Sequence, residues 1–221
     1  VTLDAKLQVG AAGKIVGRSE TKHKLRKESV KDKKGKGALA GVILGRAQEL
    51  PAALRSYDRA VELGPEEARC WALRGQLRRR LKDYEGARAD LDRALQLDPS
   101  HASGYSSRGV LRAERGDPQG GLEDLARALE LQPRHAPAHL ARATIYLRLE
   151  DFERALGEAN LALGIDPRGS THGLYVRGMA HYGAGRAGQA RRDLEAYLGA
   201  PGGKPPLVVK QAQDLLERLP R

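Results

Sequence analysis

Aromatic side chains are scarce in this sequence: one Trp, one Phe and seven Tyr make up 4% of 221 residues. A β-sandwich draws its core from β-branched and aromatic side chains, so this scarcity argues against one. Leu and Ala are left to fill the interior, which suits closely packed helices. Cysteine is rarer still. Cys70 stands alone, which excludes an internal disulfide and fits a reducing, cytoplasmic setting, with an envelope-associated one as the alternative. No apolar run reaches the roughly 18 residues that a membrane-spanning helix needs. Residues 1–9 alternate apolar with polar side chains and do not read as a secretory signal.

Positive charge, by contrast, is plentiful. The net charge is +11, and it is unevenly spread. Residues 1–36 hold 11 Lys/Arg against 4 Asp/Glu, while the rest hold 28 against 24. The cation also changes type, from 9 Lys and 2 Arg to 3 Lys and 25 Arg, which sets a boundary near residue 36. In the first part, Val1, Leu3, Ala5, Leu7 and Val9 have the period of a strand, and "GAAG" with "KIVGR" could turn and return it. "SETKHKLRKESVKDKKGKG" has no apolar period and reads as a flexible basic linker.

Beyond that boundary one phrase recurs. "ALRSYDRAVELGP", "ARADLDRALQLDP", "GLEDLARALELQP" and "ALGEANLALGIDP" end at Pro65, Pro99, Pro133 and Pro167, each 34 residues after the last. A fixed period of this size marks a stacked repeat. In the unit around Trp71, Trp71, Gly75 and Arg78 fall on a first helix, and Asp83-Tyr84 makes a turn. Ala87, Leu91 and Ala94 then recur at helical spacing until Asp98-Pro99 stops the second helix. Gly41, Gly75, Gly109, Ala143 and Gly178 hold a small position in the first helices. Ala53, Ala87, Gly121, Ala155 and Ala190 hold one in the second, so the two helices of a pair can approach closely. Tyr57, Leu91, Leu125, Ala159 and Leu194 supply the apolar contact beside it. One extra residue in "RGSTHG" delays the fifth unit. After "YLGAPGG", residues 206–219 place Leu207, Val208, Ala212, Leu215, Leu216 and Leu219 on one side of a single helix, which reads as a C-terminal cap.

The pattern resembles the tetratricopeptide repeat family, a 34-residue helix hairpin, over about residues 34–200. Arg74, Arg108, Arg142 and Arg177 depart from it by standing where that family often has Leu. The expectation is an all-α, right-handed solenoid of about eleven helices: residues 37–200 form five pairs, 201–221 a linker and cap, and 1–36 an extension. The resemblance further implies a concave groove lined by the first helices, where a peptide or partner helix lies. In the second unit it would use Gln76 and Arg79, and in the third Ser103, Ser106, Ser107 and Val110. Leu140, Thr144 and Arg148 follow in the fourth, then Tyr175, Met179 and Tyr182 in the fifth. A Lys/Asn clamp for a terminal carboxylate, used by chaperone-tail members, is not carried over: Ala72, Gln76, Ser106 and Val110 occupy such places.

The remaining motifs carry little chemistry. "GAAGKI" lacks the Ser/Thr and first Gly of a phosphate loop. His135 and His139 are four apart, but no Cys, Asp or Glu adjacent in sequence completes a metal site, and they read as partly exposed polar residues. Gly37, Gly41 and Gly45 read as tight packing in the first helix, with a membrane-type glycine zipper as the sharper alternative. Arg78, Arg79 and Arg80 read as a solvated helix end, or as ligand contacts. The carboxylates read as turn and surface residues that balance arginines. No catalytic constellation or cofactor site is expected. The reading is a non-enzymatic adaptor for a protein or peptide, with acidic groups on the ligand suiting the arginine-bearing end of the groove. The alternatives are a nucleic-acid or ribosome-associated protein using the Lys-rich segment, and an accessory subunit of an envelope or enzyme complex.

Overall fold

The computed structural model describes residues 50–167 and 171–220. Within them lie α1 (Leu50–Leu63), α2 (Ala68–Arg80), α3 (Tyr84–Leu97), α4 (Ala102–Glu114) and α5 (Pro118–Leu131). These are followed by α6 (Ala136–Arg148), α7 (Phe152–Ile165), α8 (Thr171–Gly183), α9 (Ala187–Gly199) and α10 (Pro206–Arg218). No strand occurs among the described residues. α1 is the second helix of the first pair, α2 to α9 are four complete pairs, and α10 is single. The readings made for residues 1–36 and for the helix at 37–45 lie outside the described residues.

The stops fall where the prolines put them. α1, α3, α5 and α7 each end two residues before Pro65, Pro99, Pro133 or Pro167, because the residue preceding proline is pushed out of the helical region. The turn inside each pair needs one residue in the left-handed region. Gly116 (φ 89°) and Gly185 (φ 73°) fill it in two pairs, Lys82 (φ 64°) and Glu150 (φ 59°) in the others. An aspartate follows in three of the four. The carboxylates of Asp83, Asp117 and Asp151 accept from the backbone N–H of Gly86, Gly120 and Arg154 at 3.0, 2.8 and 3.1 Å, capping α3, α5 and α7.

Within a pair the small positions do what their spacing implies. A Cβ on Gly109 would sit 2.8 Å from the Gly121 carbonyl oxygen and 2.9 Å from Leu125 Cγ. On Gly75 it would meet Leu91 Cγ at 2.9 Å, and on Gly178 Leu194 Cγ at 3.0 Å. Ala87, Ala155 and Ala190 are fully buried opposite, as are Leu91, Leu125, Ala159 and Leu194.

The arginines at the family's Leu position prove to be structural, and the carboxylates they need are buried. In α2, Arg74 donates from Nε and Nη2 to both carboxylate oxygens of Asp90, at 2.8 and 2.7 Å, and from Nη1 to Asp58 at 3.1 Å. Arg108 repeats this with Asp124 (2.9 and 2.8 Å) and Asp92 (2.9 Å). Arg177 repeats it with Asp193 (2.7 and 2.6 Å) and the Asn160 side-chain oxygen (2.9 Å). Each arginine thus ties the second helix of its own pair to that of the preceding pair. Asp90, Asp124 and Asp193 are 1%, 5% and 7% exposed, which corrects the reading of the carboxylates as turn and surface groups. A carboxylate survives such burial because a guanidinium fork supplies two charge-assisted hydrogen bonds. The first residue of the "RRR" run joins the same cluster: Arg78 lies 3.0 Å from Asp90 and is half-buried rather than solvated.

The fourth unit breaks the series. Ala126 stands where Asp58 and Asp92 stand in earlier units, and Arg142 reaches only Glu158, at 3.1 Å, leaving its Nε without a partner. His139 fills the place of Trp71. Trp71 Nε1 donates to the Pro65 carbonyl at 2.8 Å, and His139 Nε2 donates to the Pro133 carbonyl at 3.0 Å. Nδ1 of the same ring faces Glu158 at 2.7 Å. His139 is 8% exposed, not the partly exposed residue expected, and its partner was invisible as a neighbour because Glu158 is 19 residues away.

α10 covers the flank of the last pair. Ala212, Leu215 and Leu219 bury against Ala190, Leu194 and Tyr197, with Val208 and Leu216 beside them. Leu207 is the exception, 68% exposed. It is rotated about 100° from Val208 and so leaves the apolar seam.

Two stability measurements test this architecture. Gly109→Leu forces a side chain against the Gly121 carbonyl, and it should cost about 1–3 kcal/mol or more. An unchanged melting temperature would contradict the helix contact. Ala126→Asp should restore the missing bridge to Arg142 and stabilise the chain by about 0.5 kcal/mol in urea unfolding. The gain should vanish when Arg142 is also changed to Gln.

Candidate functional site: the inner face of the solenoid

The first helices of successive pairs touch one another: α2 meets α4, α4 meets α6, and α6 meets α8. The second helices α3, α5, α7 and α9 have no such mutual contacts of comparable extent among the described residues. A layer whose neighbours touch, backed by one whose neighbours do not, curves toward the first. The concave face is therefore built from α2, α4, α6 and α8.

Side chains along this face differ in what they have left to offer. In the first half they satisfy one another. Gln76 Nε2 donates to Ser107 Oγ at 2.7 Å, and Ser107 Oγ donates to the Ser103 carbonyl at 2.7 Å. Arg79 pairs with Glu114 across α2 and α4. Ser106 is buried, and Val110 is partly covered. In the middle, Thr144 Oγ1 donates back to the Leu140 carbonyl at 2.9 Å, and Leu140 packs into the core beside Ala143 and Val176. Arg148, at the end of α6, is exposed and forms no ion pair with the described residues.

The far end is open. Tyr175, Met179 and Tyr182 of α8 face Gln211, Asp214, Leu215 and Arg218 of α10 across a cleft of about 360 Å³. Tyr175 stacks on His172 at 5.6 Å and tilts against Tyr197 at 5.5 Å. Its hydroxyl donates to Gln211 Oε1 at 3.1 Å, bridging the mouth. Tyr182 is 43% exposed. α10 is pinned on its other side: Arg191 of α9 donates to the carbonyls of Leu216, Leu219 and Pro220 at 3.1, 2.7 and 3.1 Å. Those carbonyls sit at a helix end, where no intrahelical donor remains. The linker adds a cation–π contact, with Lys204 Nζ 5.7 Å from the Tyr197 ring.

The tetratricopeptide repeat model matches residues 39–102 and 107–170, more than half of the chain. The chain belongs to the tetratricopeptide repeat family. Among solved structures, a thermophilic tetratricopeptide repeat protein of Thermus thermophilus is similar at 21% identity and a TM-score of 0.69, over 82% of this chain and 98% of that one. PilW, described as a widely conserved type IV pilus biogenesis factor, is similar at 18% identity and a TM-score of 0.68, over 82% and 84%. YrrB, described as having an unusual peptide-binding site, is similar at 20% identity and a TM-score of 0.53, over 80% and 90%. No curated protein matches the chain at a significant level.

As a tetratricopeptide solenoid, the chain has a groove whose wall at one end the sequence reading missed. Gln211, Asp214 and Arg218 were assigned only to a covering helix. The signal was present: Gln211 follows Tyr175 by 36 residues, close to the repeat, so α10 takes the place of a sixth first helix. Metal chemistry finds no support at His135 and His139, and no group of three candidate ligands occurs among the described residues. No helix of the described residues is long and apolar enough to cross a membrane.

Three histidines along this scaffold make its stability pH-dependent. Burial pushes the imidazoles of these three, His101, His135 and His181, and also that of His172, below the ordinary value of 6.5. His101 and His135 precede the first turns of α4 and α6, where a cation also opposes the helix dipole. His101 and His181 bury Nδ1 atoms with no partner. A depressed histidine pKa means that the unfolded chain takes up protons first, so stability falls as pH drops below about 6.5. The melting temperature should be lower at pH 5.5 than at pH 7.5, and replacing His101 with Asn should reduce the difference.

Proposed function

We propose that this chain is a non-catalytic adaptor that holds an extended peptide or an amphipathic helix of a partner protein against its concave face. The inner layer carries the reading: its half-exposed side chains run in a continuous strip from Gln76 and Arg79 through Leu140, Thr144 and Arg148 to Tyr175, Met179 and Tyr182. Packing fixes the helices behind them, so the strip is pre-organised, which lowers the ordering cost of binding. Residues 37–200 are the repeat array, 201–221 the linker and cap, and 1–36 a separate basic extension. A lone buried Cys70 accords with a cytoplasmic location. The competing reading is nucleic-acid binding through residues 1–36, whose balance of +7 would attract phosphate without sequence preference.

The two readings separate by region. Affinity for a protein partner isolated by cross-linking, and for RNA, is measured at two salt concentrations. The proteins compared are the full chain, a chain lacking residues 1–36, and the Arg148→Glu, Tyr175→Ala double variant. An adaptor keeps its partner without the extension and loses it, by about tenfold or more, in the double variant. A nucleic-acid binder does the reverse: deletion of the extension abolishes RNA binding and its salt dependence, and the groove changes have little effect.

A further inference from the structure

The cleft between α8 and α10 differs from the rest of the groove in having unspent binding capacity, and this deepens the adaptor reading on which it rests. We propose that the cleft takes one bulky apolar side chain, aromatic or leucine, of a partner segment in which that anchor is flanked by aspartate or glutamate.

The floor sets the anchor. Met179 and Leu215 are apolar, Tyr175 and Tyr182 line the cleft beside them, and about 360 Å³ between them accommodates a large side chain. Methionine beside tyrosine makes an adaptable wall that favours aromatic or branched apolar groups. Arg191 of α9 holds the end of α10 through three carbonyls.

The rim sets the flanks. Groove helices α6, α8 and α10 end near Arg148, Tyr182 and Arg218 respectively, so two exposed arginines with no ion pair among the described residues accompany the exposed tyrosine. Arg79, by contrast, is neutralised by Glu114, and Gln76 and Ser107 are bonded to each other. Acidic groups of a partner therefore gain most at the α6–α10 end. The chain's own extension, at +7, has the wrong sign to be the occupant. Asp214 is the one acid lining the cleft, and it favours a partner backbone N–H or hydroxyl beside the anchor.

The probe is a random twelve-residue peptide library displayed on phage, selected on the full chain, with the enriched peptides then measured by fluorescence anisotropy. Enrichment of peptides with one Phe, Tyr, Trp or Leu next to Asp or Glu is expected. Met179→Trp, which fills the cleft, should weaken their binding at least tenfold. Tyr182→Ala, at an exposed site that cannot unfold the chain, should weaken it about fivefold. Arg148→Glu with Arg218→Glu should weaken it by a similar factor and reduce its salt dependence. Enrichment of basic peptides, no enrichment at all, or tighter binding by a peptide of residues 1–36 would overturn the proposal. Acidic peptides that ignore Met179→Trp but are lost on Ser107→Trp would place the ligand in the first half of the groove. That outcome overturns the cleft while leaving the adaptor reading standing.

Discussion

Registry in this solenoid depends on a forked contact between a guanidinium and a buried carboxylate, made by Arg74 with Asp90, Arg108 with Asp124 and Arg177 with Asp193. The aspartates are almost completely withdrawn from water, so each depends on its arginine. Removing the arginine would leave Asp90 with Arg78 at 3.0 Å, and Asp124 and Asp193 with only the more distant Arg112 and His181 at 3.6 and 3.8 Å, so the cost approaches the roughly 3–5 kcal/mol of breaking a buried pair most closely at the last two. The pairing fixes angle as well as distance, since both carboxylate oxygens face a planar fork. Hydrogen bonds to Asp124 and Asp193 in turn push the Arg108 and Arg177 guanidinium pKa values up, so these contacts stay charged through the physiological range. A leucine at that position would fill the space without specifying an orientation. The third guanidinium nitrogen then reaches back to Asp58, Asp92 or Asn160 of the preceding unit. One side chain therefore closes a hairpin and stacks it on its neighbour.

Glycine at the next residue is the other half of the device. Gly75, Gly109 and Gly178 follow the arginines directly, and a Cβ on each would come within 3.0 Å of a leucine carbon. The close helix approach brings the aspartate within reach of the guanidinium, and the pair in turn holds the helices at that separation. Unit four carries Ala143 for glycine and Glu158 for aspartate, and the preceding unit carries Ala126 for the bridging carboxylate. The longer glutamate is shared between His139 and Arg142.

The repeat period, the hairpins, the proline stops, the small positions and the helix at Pro206–Arg218 could all be read from sequence because each follows from local spacing. Period alone locates the helices, and the prolines end them. What stayed hidden were contacts 16 to 36 residues long. Arg74 looked like a departure from a leucine position, since nothing local says that Asp90 faces it. His139 looked half-exposed for the same reason, with Glu158 on another helix. Leu207 was misassigned because a helix seam drifts, and one residue's rotation is enough to leave it. Groove membership of α8 followed from phase, whereas that of α10 did not, because the linker at 200–205 shifts its register.

The same hydrogen bonding that makes the array regular also uses up its surface. Through α2 and α4 the inner polar groups are bonded across units, Gln76 to Ser107 and Arg79 to Glu114, so a ligand there would have to exchange bonds already made. Such exchange yields little net free energy, because a typical hydrogen bond contributes only about 1 kcal/mol over its alternative. Selectivity then has to come from where the pattern fails. It fails at α10, which takes a first-helix place and has no second helix behind it among the described residues. There α10 meets α8 through side chains at a cleft mouth rather than along a packed seam, and Arg191 of α9 holds its end. The loose seating of α10 on α8 and the presence of an apolar cleft are thus one fact, because a helix that packed fully on both neighbours would leave no opening.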